Sequence, residues 1–439
     1  MPDSIFANLT RQYNHAIQLF IRGLTPYRVK TYPPIFAVMM FVGWIISQLR
    51  IPGLIDSART IIGIDFVAFF TAGSFFLQGR FAELYDPAAQ LKFQQDLVAP
   101  AITDKFMFFV SPPFTVPLYI PFALGEYLTG LFLWWGVGLF ALLFSLHLLR
   151  KELFQESPPS LLRLFLLSFT FYPTLFWFID GQSTSFTLLV YIAFFVLLRR
   201  NKDFSAGLLL GLLIYKPTLA LGLGAALLFK FRWRALLGCV ISAGTWSLSG
   251  FVFFPAIMKI YITQSFDLLR AAIADPWGAL SLHEFSLNLL GQIWKPGSTI
   301  LSAVLTVGAV IMIFMFWQRT PWQPGSRAWD MTWAATIAIG LIIGQHLGVY
   351  DVMLLLPGFM ILWSYYPRGT NGRLLDNGQL FAWSAIVYIL GFLSIYITFF
   401  QKWLTSTMGL PAMAIQFGTL AIAAWAWVVY QAGQTSQPE

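Results

Sequence analysis

Long apolar stretches separated by short polar breaks run along almost the whole chain. A helix needs about 20 mostly apolar residues to cross a bilayer. Stretches approaching that length lie at 34–51, 126–149, 160–178, 183–198, 235–254, 299–316, 331–345, 352–364, 379–399 and 409–431. Two shorter apolar pieces, 205–214 and 217–229, meet at Lys216-Pro217 and carry basic residues on both outer flanks. That arrangement predicts an in-and-out hairpin, either two short spans or a re-entrant pair. The pattern as a whole predicts an all-α protein, a polytopic bundle of roughly 12 membrane helices in a single domain over 1–439. Residues 111–124 do not read as a regular span, because Pro112, Pro113, Pro117 and Pro121 interrupt helical hydrogen bonding.

Composition sharpens this picture. Of 439 residues, 58% are hydrophobic and 10% charged, against about 25% charged in soluble domains. With a mean hydropathy of +0.70, these values exclude a water-soluble enzyme and a disordered chain. A single cysteine excludes a disulfide framework or a thiolate metal cluster. The net charge of +8 does not indicate nucleic acid. The basic residues fall in short groups between apolar runs, such as Arg150-Lys151, Arg199-Arg200-Asn201-Lys202 and Lys230-Phe231-Arg232-Trp233-Arg234. Cytoplasmic loops carry this bias. The first apolar stretch follows a polar amphipathic stretch and no small-residue cleavage site succeeds it, so it reads as an uncleaved anchor in the plasma (inner) membrane with its N-terminus inside.

With the basic groups inside, the segment 52–110 becomes a first outer loop. It is far longer than the roughly 12–15 residues that unstructured connections seldom exceed unless functional. Phe66, Phe69, Phe70 and Gly73 follow a helical spacing, which predicts surface helices along the membrane. A second outer loop spans 255–298, and tight outer turns fall at Asp180-Gly181-Gln182-Ser183 and at His346 through Asp351.

Candidate chemistry is sparse. No two of the 19 acidic residues are spaced i, i+2, so an Asp-x-Asp metal site is absent. Neither a phosphate loop nor a dinucleotide fingerprint occurs, and no cofactor or metal is expected. His283-Glu284 is at most half a metal site. Asp65 opens an apolar helical stretch. It is either an N-cap, accepting backbone N–H bonds, or a half-buried carboxylate whose raised pKa suits a general base. His346 and Asp351 bracket a turn, as phosphate-facing groups or as a structural pair. Lys216 is the one cation set well inside an apolar stretch, available to an anionic head group, to Asp180 or Asp65, or to the interface by snorkelling.

The motifs Ile64-Asp65-Phe66-Val67-Ala68-Phe69-Phe70, Pro112-Pro113, Gly181-Gln182, Lys216-Pro217 with Lys230-Phe231-Arg232-Trp233-Arg234, and Tyr350-Asp351 before Leu354-Leu355-Leu356-Pro357 occur in that order. In this order the chain resembles the C-type membrane glycosyltransferases, and within them glycosyltransferase family 87, the polyprenol-phosphate-mannose-dependent mannosyltransferase-like group. The resemblance implies transfer of a sugar, mannose or another hexose or pentose, from a polyprenyl-phosphate donor to a glycan or glycolipid acceptor. The reaction would be inverting, metal-independent and at the outer membrane face. It makes Asp65 the catalytic base. The donor phosphate falls to Lys216, His346 and Arg270, with Gln182, Asp180, Tyr350 and Asp351 in support. The competing readings are a lipid-linked-sugar flippase or transporter without transfer activity, and a non-catalytic scaffold. Transporter folds favour paired broken helices, and Lys216-Pro217 has no counterpart in the other half.

Overall fold

The computed structural model describes residues 2–50, 53–56, 59–272, 279–345, 347–365 and 378–435. The described residues are helical throughout, with one isolated bridge pairing Ile55 and Ile61. Helix α1 (Pro2–Gly23) precedes the first long apolar helix, α2 (Pro26–Leu49). Between it and α6 (Tyr127–Leu153) come α3 (Ile64–Leu77), α4 (Pro87–Val98), a 3-10 segment at Pro113–Leu118 and the one-turn α5 (Ile120–Ala123). The middle of the chain holds α7 (Leu161–Thr170), α8 (Tyr172–Asp180), α9 (Thr184–Arg199), α10 (Asp203–Gly211), α11 (Pro217–Phe229) and α12 (Trp233–Phe253). Then follow α13 (Pro255–Ala272), α14 (Leu282–Leu290), α15 (Lys295–Arg319) and α16 (Arg327–Ile343). A 3-10 segment at Val349–Leu355 leads into α17 (Leu356–Tyr365), and α18 (Gly378–Thr407) and α19 (Phe417–Gln434) complete the chain.

Each apolar stretch of the sequence contains helix, although 409–431 is irregular up to Gln416, and not every helix is a full span. Five are long and apolar enough to cross a membrane: Tyr27–Leu49, α6, α12, α15 and α18. Helices α7 and α8 together would make a sixth, bent by 85° where Phe171 is extended ahead of Pro173. Other apolar segments, α3, α9, α11 and the stretches 203–215 and 349–365, form shorter helices of 10–17 residues. The prolines of 111–124 produce a 3-10 turn and a single α-turn, as their missing N–H groups require.

Two apolar cores result. The larger runs through the bundle from Leu142 to Ala432 and includes Trp317, Trp329 and Trp333. The smaller joins the loop after α2 to α6, gathering Phe66, Phe69, Phe70, Tyr85, Phe109, Tyr119 and Trp134. Helix α3 belongs wholly to this second core. Its residues from Asp65 to Phe75 are buried on all sides, so it is not the one-sided surface helix its Phe spacing suggested. Aromatic residues of α5, α6 and the 3-10 turn close over the side expected to face lipid or water, as in the 4.6 Å stack of Phe69 on Tyr119.

At the basic end of α9, an ion network joins four elements. Arg199 Nη2 lies 3.2 Å from Asp330 Oδ2 on α16, and its Nη1 lies 3.4 Å from Glu152 Oε1 on α6. Tyr365 of α17 donates its hydroxyl to Asp330 Oδ2 at 2.7 Å. Asp330 is fully buried, and a buried charge of this kind persists only where cations and hydrogen bonds offset its lost hydration.

Candidate active site

The start of α3 is pinned before its carboxylate is placed. Gly63 occupies the N-cap with φ +69°, a left-handed conformation that favours glycine. A Cβ there would stand 2.8 Å from Leu131 Cδ1. Tyr127 of α6 donates its hydroxyl to the carbonyls of Ile62 (2.6 Å) and Gly63 (3.1 Å). The cap is therefore Gly63, and Asp65 sits inside the first turn. The capping role considered for Asp65 is overturned: its carboxylate has its partner in the turn between α8 and α9.

That partner is Gln182, whose Nε2 donates to Asp65 Oδ2 at 3.1 Å across 117 residues. The amide is aimed by its surroundings. Its Oε1 accepts from Ser183 N at 2.7 Å and Ser183 Oγ at 3.0 Å, which leaves the NH2 end for the carboxylate. The turn carrying it is held by two indoles: Trp134 Nε1 donates to Gly181 O at 2.8 Å, and Trp177 Nε1 to Gln182 O at 2.6 Å. Gly181 has φ +70°, and a Cβ on it would come within 2.8 Å of Phe66 Cβ, so α3 lies directly on this turn.

A second polar group lies where two helices break. Lys216 is extended (φ −135°, ψ 67°) between the 3-10 end of 203–215 and α11, with Pro217 as the first residue of α11. Its Nζ lies 3.5 Å from Asp351 Oδ1, and the same oxygen accepts from Thr184 Oγ1 at 2.8 Å. The ammonium also stands 5.4 Å from the Tyr350 ring centroid, within cation–π range. Asp351 belongs to the 3-10 segment after α16, where the chain leaves regular α-helix. Of the partners considered for Lys216, the ion pair is made with neither Asp180 nor Asp65 but with Asp351. Asp180 ends α8, half-buried, one residue before Gly181.

The two groups share one electrostatic field. Asp65 is only 4% exposed, and burial pushes its carboxyl from the usual 3.8 up to about 7. Desolvation is the main cause; the positive charge of Lys216 and the Gln182 hydrogen bond pull the other way, and Asp351 adds a smaller upward push. The result is a carboxyl that titrates near neutrality in the field of a part-buried cation. Such a group accepts a proton from a hydroxyl at neutral pH with little loss of driving force.

The structure brings together Asp65, Gln182, Lys216, Tyr350 and Asp351 among the residues singled out from sequence. His346 and the side chain of Arg270 lie outside the described residues. Sequence reasoning missed Thr184, which holds Asp351, and the indoles of Trp134 and Trp177. Thr184 follows directly on the Asp180–Ser183 turn, so its position was the available signal. The indoles had none, because tryptophan is frequent in this chain.

Neither the curated proteins nor the solved structures contain a match to this sequence. The sequence model of glycosyltransferase family 87 matches residues 109–357. That range includes Gln182, Thr184, Lys216, Tyr350 and Asp351 and begins after Asp65. The match covers more than half of the 439 residues, and the chain belongs to glycosyltransferase family 87.

Proposed function

We propose that this membrane glycosyltransferase transfers a sugar from a polyprenyl-phosphate donor to an acceptor hydroxyl with inversion, Asp65 serving as the base. The carrying observation is the buried Asp65 carboxyl, oriented by Gln182 and titrating near neutrality beside Lys216. The ionised carboxylate takes the proton of the acceptor hydroxyl. That oxygen bonds to the anomeric carbon, the bond from that carbon to the phosphate oxygen breaks, and polyprenyl phosphate leaves with the electron pair. Attack from the face opposite the leaving group inverts the configuration. Lys216 meets the charge that develops on the leaving phosphate, while Asp351 and Thr184 hold the lysine at the helix break.

The acceptor is a glycan or glycolipid, and the sugar is mannose or another hexose or pentose. The protein is placed in the plasma membrane with this site on the outer face, in keeping with the basic groups around Arg199–Lys202 and Lys230–Arg234 on the other. The test is transfer of radiolabelled sugar from polyprenyl phosphate by the purified protein. Asp65→Asn keeps the size of the side chain and its contact with Gln182 but removes the basic oxygen, so turnover falls by about 100-fold or more. An Asn variant with near-normal transfer, or movement of the lipid across the membrane without transfer, would overturn the proposal.

A further inference from the structure

Helix α14 carries a buried carboxylate that the mechanism does not use. Ser281 caps the helix, its Oγ accepting from Glu284 N at 3.1 Å and donating to Gln345 O at 3.0 Å. Ser281-x-x-Glu284 is the pattern of a capping box, in which the glutamate returns to the cap's backbone N–H. Here that return is not made. Glu284 is fully buried, and neither carboxylate oxygen has a hydrogen-bond partner. One turn on, Asn288 is 5% exposed, and its Nδ2 is likewise buried and unpartnered. Residues four apart share one helix face, so two acceptor oxygens and one amide donor open on the same side of α14. Lys402 of α18 acts on Glu284 only through its field; no ion pair to it occurs among the described residues.

This face is joined to the site already described. Leu280 N donates to Leu347 O at 3.0 Å, and four residues later that segment reaches Asp351. At the other end of α14, Ala414 N donates to Asn288 O at 2.9 Å, while Gln416 Nε2 donates to Ala279 O at 2.5 Å just before the helix begins. Unpaired buried polar groups are rare and costly, which marks the pair as groups completed by something else. A phosphate is excluded by the carboxylate's charge, and a lipid chain by its lack of donors. A metal would need further ligands, and no group of three candidate ligands occurs among the described residues. Adjacent sugar hydroxyls fit: two O–H groups donate to the two carboxylate oxygens, and Asn288 donates to a ring or hydroxyl oxygen.

We propose that Glu284 and Asn288 form a sugar-hydroxyl subsite, taking a vicinal diol of either the transferred sugar or the acceptor. This rests on the glycosyl-transfer reading for its place in the reaction. The face is closed to solvent in this state, so occupancy requires α14 to move against Gln345, Leu347 and residues 414–416.

The test uses the full chain in phosphatidylcholine–phosphatidylglycerol nanodiscs, prepared without sugar-based detergents, which would compete. Calorimetry compares farnesyl phosphate with its mannosyl, glucosyl and arabinosyl esters, and transfer assays use octyl mannoside and octyl glucoside as acceptors. Glu284→Gln, which keeps shape and removes one acceptor oxygen and the charge, should leave farnesyl phosphate affinity within about twofold. It should lose about tenfold or more wherever the sugar is read: in the affinity gained on adding the donor's sugar if that is the source, or in the KM for the octyl glycoside if the acceptor is. Thermal stability should hold or rise, since an unpaired buried charge is removed. A variant with unchanged sugar-dependent affinity and unchanged acceptor KM makes Glu284 structural and overturns the subsite, as does a loss confined to thermal stability. If the unaltered protein binds farnesyl phosphate and transfers sugar while the variant matches it, only the subsite fails. If the unaltered protein does neither, the transfer reading fails with it.

Discussion

Replacing Gln182 with methionine removes the side-chain hydrogen bond that Asp65 receives from the turn between α8 and α9 while keeping a side chain of similar length. A hydrogen bond to a charged group is worth about 1.5–3 kcal/mol. At about 1.4 kcal/mol per tenfold in proton affinity, losing it moves the carboxyl up by roughly one to two pH units. Burial already holds Asp65 at about 7, so the variant's carboxyl should titrate near 8–9. The active form is the carboxylate, so kcat/KM rises with pH through the folded pKa and levels off above it. At pH 7 the ionised fraction falls from about half to between roughly 1 and 10%, so Gln182→Met should lose about 5- to 50-fold there. It should recover to within a few-fold of the unaltered protein by about pH 9.5. The assay is a pH profile of kcat/KM with polyprenyl-phosphate sugar in nanodiscs. An acid limb that stays near 7 with activity lowered equally at every pH would refute the reasoning. Gln182 would then act only through its bonds to Ser183, as a brace for the turn.

Lys216→Ala should raise the KM for the donor by about tenfold or more while leaving the protein folded, because the proposed mechanism sets the ammonium against the leaving phosphate; Lys216→Arg should be milder. Equilibrium binding of farnesyl phosphate is the check, and unchanged affinity would make Lys216 structural. Arg199→Met should destabilise by about 3–5 kcal/mol, since it leaves the fully buried Asp330 without its cation. Thermal melting in nanodiscs reads this, and the double variant with Asp330→Asn should recover part of the loss. Asn201→Cys and Phe231→Cys should resist a membrane-impermeant thiol reagent applied from outside intact cells. Efficient labelling of either would reverse the topology and the outward placement of Asp65.

The helices were legible because apolar stretches cannot leave backbone groups unpaired in a bilayer, and each such stretch holds helix. Their status as full spans was less so. The pattern of apolar residues does not say where a helix breaks, and Phe171 and Lys216 divide stretches that read as continuous or paired. Asp65 was singled out for its place at the start of a helix, yet glycine two residues earlier takes the cap, because the crowding of Leu131 against position 63 is a tertiary fact. The pairs Asp65–Gln182 and Lys216–Asp351 join residues 117 and 135 positions apart. Charge alone suggested Asp180 or Asp65 for Lys216, and it pairs with neither. Thr184 holds Asp351 beside it, and only its place directly after the Asp180–Ser183 turn hinted at that in the sequence.

Helices α9 and α16 are joined at both ends, with consequences for how the protein can move. At one end Arg199 grips Asp330; at the other Thr184 grips Asp351 just past the end of α16. Between these rungs Phe194 and Phe195 pack edge-on or tilted against Trp333 and Trp329. A helix of 16 residues is about 24 Å long, so the two fastenings act as the ends of a ladder rather than as neighbours. Neither rail can slide by a turn without breaking a rung, and neither can splay at one end without straining the other. A long-chain lipid entering the site must therefore come between other elements, and any opening during turnover has to be hinged outside this pair.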